Sequence, residues 1–145
     1  MRHNFIYYYS IFTLTLAFVV SFYVAWLLLA PVNLDEVHNE PFPVHPTELH
    51  KGDTIFWEIE YSKNNPYKAF INRNIICGDN LVTLAPEETD APWGYRIVAK
   101  GSVVLPEKVS LGTCYIELKA TYEINKLRDI QKTFRTQEFI IKDKE

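Results

Sequence analysis

One charge-free stretch constrains this chain more than any other feature. Between Arg2 and Asp35 there is no Asp, Glu, Lys or Arg. Within it, Phe5–Ala30 runs for 26 residues, and only Ser10, Thr13, Thr15 and Ser21 are not apolar. As a helix it would reach about 39 Å at ~1.5 Å per residue, against a hydrocarbon core of about 30 Å. Tilt or the two interfaces take up the surplus. Tyr7, Tyr8 and Tyr9 lie near one end, with Tyr23 and Trp26 toward the other. That places amphipathic rings at headgroup depth on both sides. A cleaved signal peptide fits less well, because its apolar region is usually about 7–15 residues long. A cut after Ala30 would also have Leu28 at a position that favours a small residue, and Pro31 just beyond. The expectation is a cytoplasmic tip at 1–4 and a transmembrane signal-anchor helix at 5–30, with the lipid bilayer as its first partner.

The flanks set a direction. Arg2 and His3 precede the span, whereas Asp35, Glu36 and Glu40 follow it and the first lysine is Lys51. Lys and Arg bias a flank toward the cytoplasm. The N-terminus is therefore expected inside. The rest is expected in the periplasm or outside the cell, from the inner membrane if the source is bacterial. Thr13, Ala17, Ser21 and Ala25 recur at every fourth position and drift slowly around one helix face. Small residues there allow close approach of a second helix, hence a candidate homodimer or partner-helix seam.

The overall hydrophobic fraction of 48% averages two unlike objects. Residues 31–145 hold every charge but Arg2, so their balance is 14 minus 18, or −4. That excess gives no reason to expect binding to nucleic acid. Segment 31–46 contains Pro31, Pro41, Pro43 and Pro46 and reads as a semi-rigid polyproline spacer of at most roughly 50 Å. It would hold the domain off the bilayer. His38 and His45 lie in it and His50 just beyond, but without standard metal-site spacing, so the chain is read as having no metal and no cofactor.

Beyond the spacer, residues 47–145 alternate with the period of strands. In 54–61, Ile55, Trp57, Ile59 and Tyr61 share one face; in 95–105, Ile97, Ala99, Gly101 and Val103 do. In 114–125 the inward set is Cys114, Ile116, Leu118, Ala120, Tyr122 and Ile124. Shorter candidates are 69–77, 81–84 and 133–142, with a weak edge strand near 42–44. Turn residues separate the runs. Six or so short strands with one solvated face predict an all-β, immunoglobulin-like antiparallel β-sandwich in outline. The match is only in outline: Trp57 precedes Cys77, and Gly112 stands where an immunoglobulin domain has its tyrosine.

Cys77 and Cys114 both point inward and are expected to form a disulfide between facing sheets, in the oxidising compartment that the topology implies. Familiar catalytic patterns are missing: there is no phosphate-cradling glycine loop, no Gly-x-Ser-x-Gly and no His-Glu-x-x-His. The predicted strands carry no histidine to serve as a general base. The expected role is therefore non-enzymatic.

Two segments suit recognition. The loop 85–95 is acidic and holds two prolines, with Trp93 and Tyr95 either anchoring a partner or capping the core. Segment 125–135 carries Lys126 and Arg128 among four basic residues, suited to an acidic partner or to an ordinary charged hairpin. The leading expectation is a single-pass protein presenting a small sandwich as an interaction or assembly module at a cell envelope. Bacterial and phage-encoded envelope proteins share such a layout, and the absence of any Asn-x-Ser/Thr acceptor is compatible with that source. The alternative is a small-ligand or metal carrier using the linker histidines or the Trp93 loop.

Overall fold

A computed structural model describes residues 2–89 and 91–143. Met1 of the expected tip, Asp90 of the 85–95 loop, and residues 144–145 lie outside the described residues. The order is one helix and then strands. They are α1 (Arg2–Leu29), β1 (Glu36–Val37), β2 (Val44–His45), β3 (Glu48–His50), β4 (Thr54–Ser62), β5 (Ala69–Cys77) and β6 (Asn80–Thr83). Next come β7 (Glu87–Thr89), β8 (Arg96–Val104), β9 (Gly112–Asn125), β10 (Arg128–Arg135) and β11 (Phe139–Lys142).

Segment Ile6–Leu29 of α1 is long and apolar enough to cross a membrane, and none of it is buried against the domain. Its hydroxyls return to its own backbone: Ser10 donates to the Ile6 carbonyl and Thr15 to that of Ile11. With Thr13, which donates to the Tyr9 carbonyl, these hydroxyls are satisfied within the helix. Pro31, which has no N–H and restricts the residue before it, stops the helix at Ala30.

The strands form two sheets around one core. In the first, β4 pairs with β8 on one side and with β1 and β2 in succession on the other, all antiparallel. In the second, β5 and β9 are central; β6 and β7 share the outer side of β5, while β10 and β11 share the outer side of β9. β3 extends this sheet by pairing in parallel with β11. The second sheet is thus mixed rather than wholly antiparallel, and the first is antiparallel throughout.

Alternation along the long strands sorts side chains as their sequence implies. Cys114, Ile116, Leu118, Ala120 and Tyr122 of β9 are buried, and the residues between them are half-buried. Ile55 and Trp57 of β4 enter the same core from the other sheet. β10 and β11 divide what reads as one strand at 133–142: Thr136 still bonds Ile116 of β9, the chain leaves β9's side at Gln137–Glu138, and it returns at Phe139.

Two expectations change. The proline-rich segment 31–46 carries β1 and β2 and buries Phe42 completely, so the expected spacer is part of the fold. The physical reason is that an extended, proline-rich backbone has no internal hydrogen bonds and can lend its free groups to a sheet edge, the one place where prolines are tolerated. Cys77 and Cys114 are bonded (S–S 2.07 Å), but within one sheet, as register partners of β5 and β9. The immunoglobulin disulfide instead joins facing sheets.

Candidate functional site

The two sides of the sandwich differ. On one, Phe42 ties the sheets together: its N–H donates to the Arg135 carbonyl, and its carbonyl accepts from the Gln137 N–H. On the other, β8 pairs only with β4 among the described residues, which leaves a nine-residue edge unpaired. β7 is the facing strand of the second sheet, and between them the sandwich stays open.

That opening leads into a cleft of about 360 Å³ between the sheets. Trp57, Ile59 and Ala99 form part of one wall, and Ile71, Leu118 and Phe134 part of the other. Its cause is visible residue by residue. The inward positions Ala99 and Gly101 of β8, Ala69 of β5 and Ala120 of β9 are too small to fill the space between the layers. Trp57 packs flat on Gly101, so closely that a methyl group there would overlap its indole. The inward residues Ile59, Ile71 and Ile97 accordingly remain half-buried rather than buried.

Polar side chains at the cleft are already engaged. Arg73 donates to the Ala85 carbonyl and pairs with Glu87 at 3.1 Å. Lys100 pairs with Glu58 and Glu88 with Lys68. Tyr61 hydrogen-bonds the Thr89 side chain, and burial raises its phenol above the ordinary range.

At the end nearest α1 sits a buried polar cluster centred on Asp35, which is 4% exposed. Its carboxylate accepts from the Tyr122 hydroxyl (3.0 Å), the Asn65 amide (2.8 Å) and the Asn64 N–H (3.1 Å), with the Lys63 ammonium at 3.7 Å. Lys63 is 2% exposed and also donates to the Tyr67 carbonyl, and Lys132 donates to the Asp35 carbonyl. Burial first, then the neighbouring Asp35 charge, pushes the Tyr122 phenol far above its usual range. A second contact joins helix and domain: the Asn125 amide donates to the Leu27 carbonyl, and the Arg128 guanidinium donates to that of Ala30 at 2.6 Å. A cation there also complements the negative end of the helix dipole. The domain is therefore held against the end of α1 rather than spaced from it.

The sequence-derived candidates fall at separate places. Trp93 and Tyr95 stay outward at 64% and 66% exposed, in a loop held to the end of β4 by Gly94 N–H to Lys63 carbonyl and Lys63 N–H to Tyr95 carbonyl bonds. Trp93 does not cap the core. Lys126 lies in the β9–β10 turn, and Arg128, expected to face a partner, is occupied at the helix end. Thr13, Ala17, Ser21 and Ala25 lie exposed along α1. His38, on the segment after β1, contacts Ser62; His45 is exposed on β2; His50 pairs with Asp53. Among the described residues no three His, Cys, Asp or Glu side chains converge as metal ligands. Sequence reading missed Asp35, Lys63, Asn65 and the cleft. Tyr122 on an inward face was one signal, since a buried phenol needs a partner. The run of small inward residues was the other.

No family model and no curated protein matches the chain. Solved structures to which the chain shows similarity include an alkylpurine DNA glycosylase of Pseudomonas fluorescens, at 12% identity and a TM-score of 0.46. That match covers 74% of this chain and 30% of the glycosylase, so the chain spans under a third of that protein. A Niemann-Pick type C2 protein of the Japanese carpenter ant is 9% identical with a TM-score of 0.49, over 79% of this chain and 96% of that one. The sporulation control protein Spo0M of Bacillus subtilis is 9% identical with a TM-score of 0.41, over 76% and 50%. These likenesses carry no argument about function.

Proposed function

We propose that this is a single-pass membrane protein, N-terminus in the cytoplasm, whose immunoglobulin-like domain works outside it as a protein-interaction or assembly module at a cell envelope. The observation that carries this reading is the open edge β8. Long unpaired edge strands are normally shortened, bent or charged to prevent association. Here the strand runs nine residues, and its outward charges Arg96 and Lys100 are tied to Glu60 and Glu58 on β4. Val98 between them and Val104 at the strand's end are left exposed, and Trp93 and Tyr95 stand just before the strand. An extended partner segment can add to such an edge through main-chain hydrogen bonds, with neighbouring aromatics as anchors. The small-residue face of α1 offers a further seam, to a second copy or to a partner's helix.

The test is residue-specific photocrosslinking in native membranes. A photoreactive residue at Val98 or Tyr95 should give one discrete adduct, and one at Gln131 on the opposite side should not. Equal, diffuse crosslinking from all three positions would refute the edge as a binding face. Of the small-ligand and metal reading, the metal half loses support, because the histidines stand apart. The ligand half, placed on those histidines or on the Trp93 loop, finds no pocket there among the described residues; the cleft between the sheets is lined by other residues.

A further inference from the structure

We propose that the cleft between the sheets holds one hydrocarbon chain of a lipid drawn from the bilayer in which α1 is anchored. The inference rests on the membrane-anchor reading above.

Size and lining come first. At about 360 Å³ the cleft falls in the range of sites that enclose small molecules, about 300–1,000 Å³. Its walls are aliphatic and aromatic, and its inward isoleucines are left half-buried, so apolar surface there remains to be covered. Water is a poor occupant. An ordered water needs about two to four polar partners. The polar groups at the cleft are already bonded: Asp35 to Tyr122 and Asn65, Arg73 to Ala85 and Glu87, Glu88 to Lys68, Lys100 to Glu58.

Position comes second. The residues lining the cleft belong to the halves of β4, β5, β8 and β9 nearest α1, and the Cys77–Cys114 bond lies at the far end. Asp35 and Val37 border the cleft and follow the helix end at Ala30 by a few residues, and Asn125 and Arg128 fix the domain to that end. The opening between β7 and β8 therefore stands close to the leaflet that α1 leaves. A chain entering there would keep its headgroup at the rim, among the paired charges Arg73–Glu87 and Lys100–Glu58.

Three tryptophans make the test direct: Trp26 in α1, Trp57 in the cleft wall and Trp93 on the outer loop. Full-length chains keeping one tryptophan each, the others changed to Phe, are reconstituted into phosphatidylcholine vesicles with brominated acyl chains. Bromine quenches indole emission at contact. The expected result is quenching of Trp26 and Trp57 but not Trp93, relative to unbrominated vesicles. Filling the cleft with Ala99→Leu and Ala120→Leu should abolish the Trp57 effect and leave that of Trp26. Quenched Trp26 with unquenched Trp57 overturns this inference alone, whereas unquenched Trp26 overturns the anchor reading. Equal quenching of Trp57 and Trp93 also overturns the inference, since the whole domain would then lie in the bilayer. So does quenching of Trp57 only by brominated fatty acid added from solution. If the filled variant fails to fold, the Trp57–Trp93 comparison still decides.

Discussion

Replacing Asp35 with Asn should strip the negative charge from the join between helix and domain while keeping the side chain's size. Lys63 would then remain 2% exposed with its ammonium facing no counter-charge. What is left to it is the Tyr67 carbonyl at 2.6 Å and the face of Tyr122 at 5.9 Å. Removing one member of a buried ion pair typically costs about 3–5 kcal/mol, because the other member stays buried and uncompensated. Against a total stability of about 5–15 kcal/mol, that is a large fraction. For a domain of this size it should lower the melting temperature by about 12–20 °C, at ~4 °C per kcal/mol. The assay is thermal and urea unfolding of the full chain in detergent micelles, followed through the sheet signal in circular dichroism. Lys63→Met should cost less, since Asp35 keeps Tyr122, Asn65 and the Asn64 N–H as donors. The double variant should recover much of the loss, giving a coupling of about 1–3 kcal/mol between the two sites. A double variant that is simply additive would refute the claim that Asp35 and Lys63 act as a pair. A loss below about 1 kcal/mol for Asp35→Asn would show that the cluster is not desolvated as described.

Other outcomes follow from the same structure. Gly101→Ala should force Trp57 off its flat seat, destabilising the domain by about 1–3 kcal/mol and shifting Trp57 emission, measured in the chain that keeps only that tryptophan. Cys77→Ala with Cys114→Ala should lose about 4 kcal/mol, as expected for a loop closed across 37 positions, and make unfolding insensitive to reductant. Tyr61 and Tyr122 both have raised pKa values, so the folded state favours their neutral forms. Their contribution is complete below the unfolded pKa of about 10 and is lost as pH rises above it, since the unfolded chain ionises first. Phenolate absorbance should therefore show Tyr122 ionising above the free phenol's pKa of about 10, a component that Tyr122→Phe removes while flattening the alkaline loss of stability.

Much of the fold was legible because strand alternation is a local signal. β9 reads cleanly, since it is central, has β5 on one side and β10 and β11 on the other, and turns one face to the core. β10 was half hidden. Its inward-phase Lys132 looks like a surface charge until it is seen donating to the Asp35 carbonyl, 97 positions away. The role of segment 31–46 was obscured because proline density predicts an extended backbone but not whether a sheet edge is there to receive it. The Asp35 cluster joins residues 30 and 87 positions apart, and no local pattern encodes such a meeting. The cleft was written in Ala69, Ala99, Gly101 and Ala120. Read singly, each is an unremarkable inward residue, and only the pairing of the strands brings them to one level.

The central claim is that α1 spans a membrane and the two-sheet domain stands on its non-cytoplasmic side. The most direct measurement uses a cysteine introduced at the exposed position Gln131 of the full chain in intact cells, probed with a membrane-impermeant maleimide. Labelling before permeabilisation is predicted, with Cys77 and Cys114 unreactive until reductant is added. Labelling of position 131 only after permeabilisation, with Cys77 and Cys114 reactive without reductant, would contradict the claim.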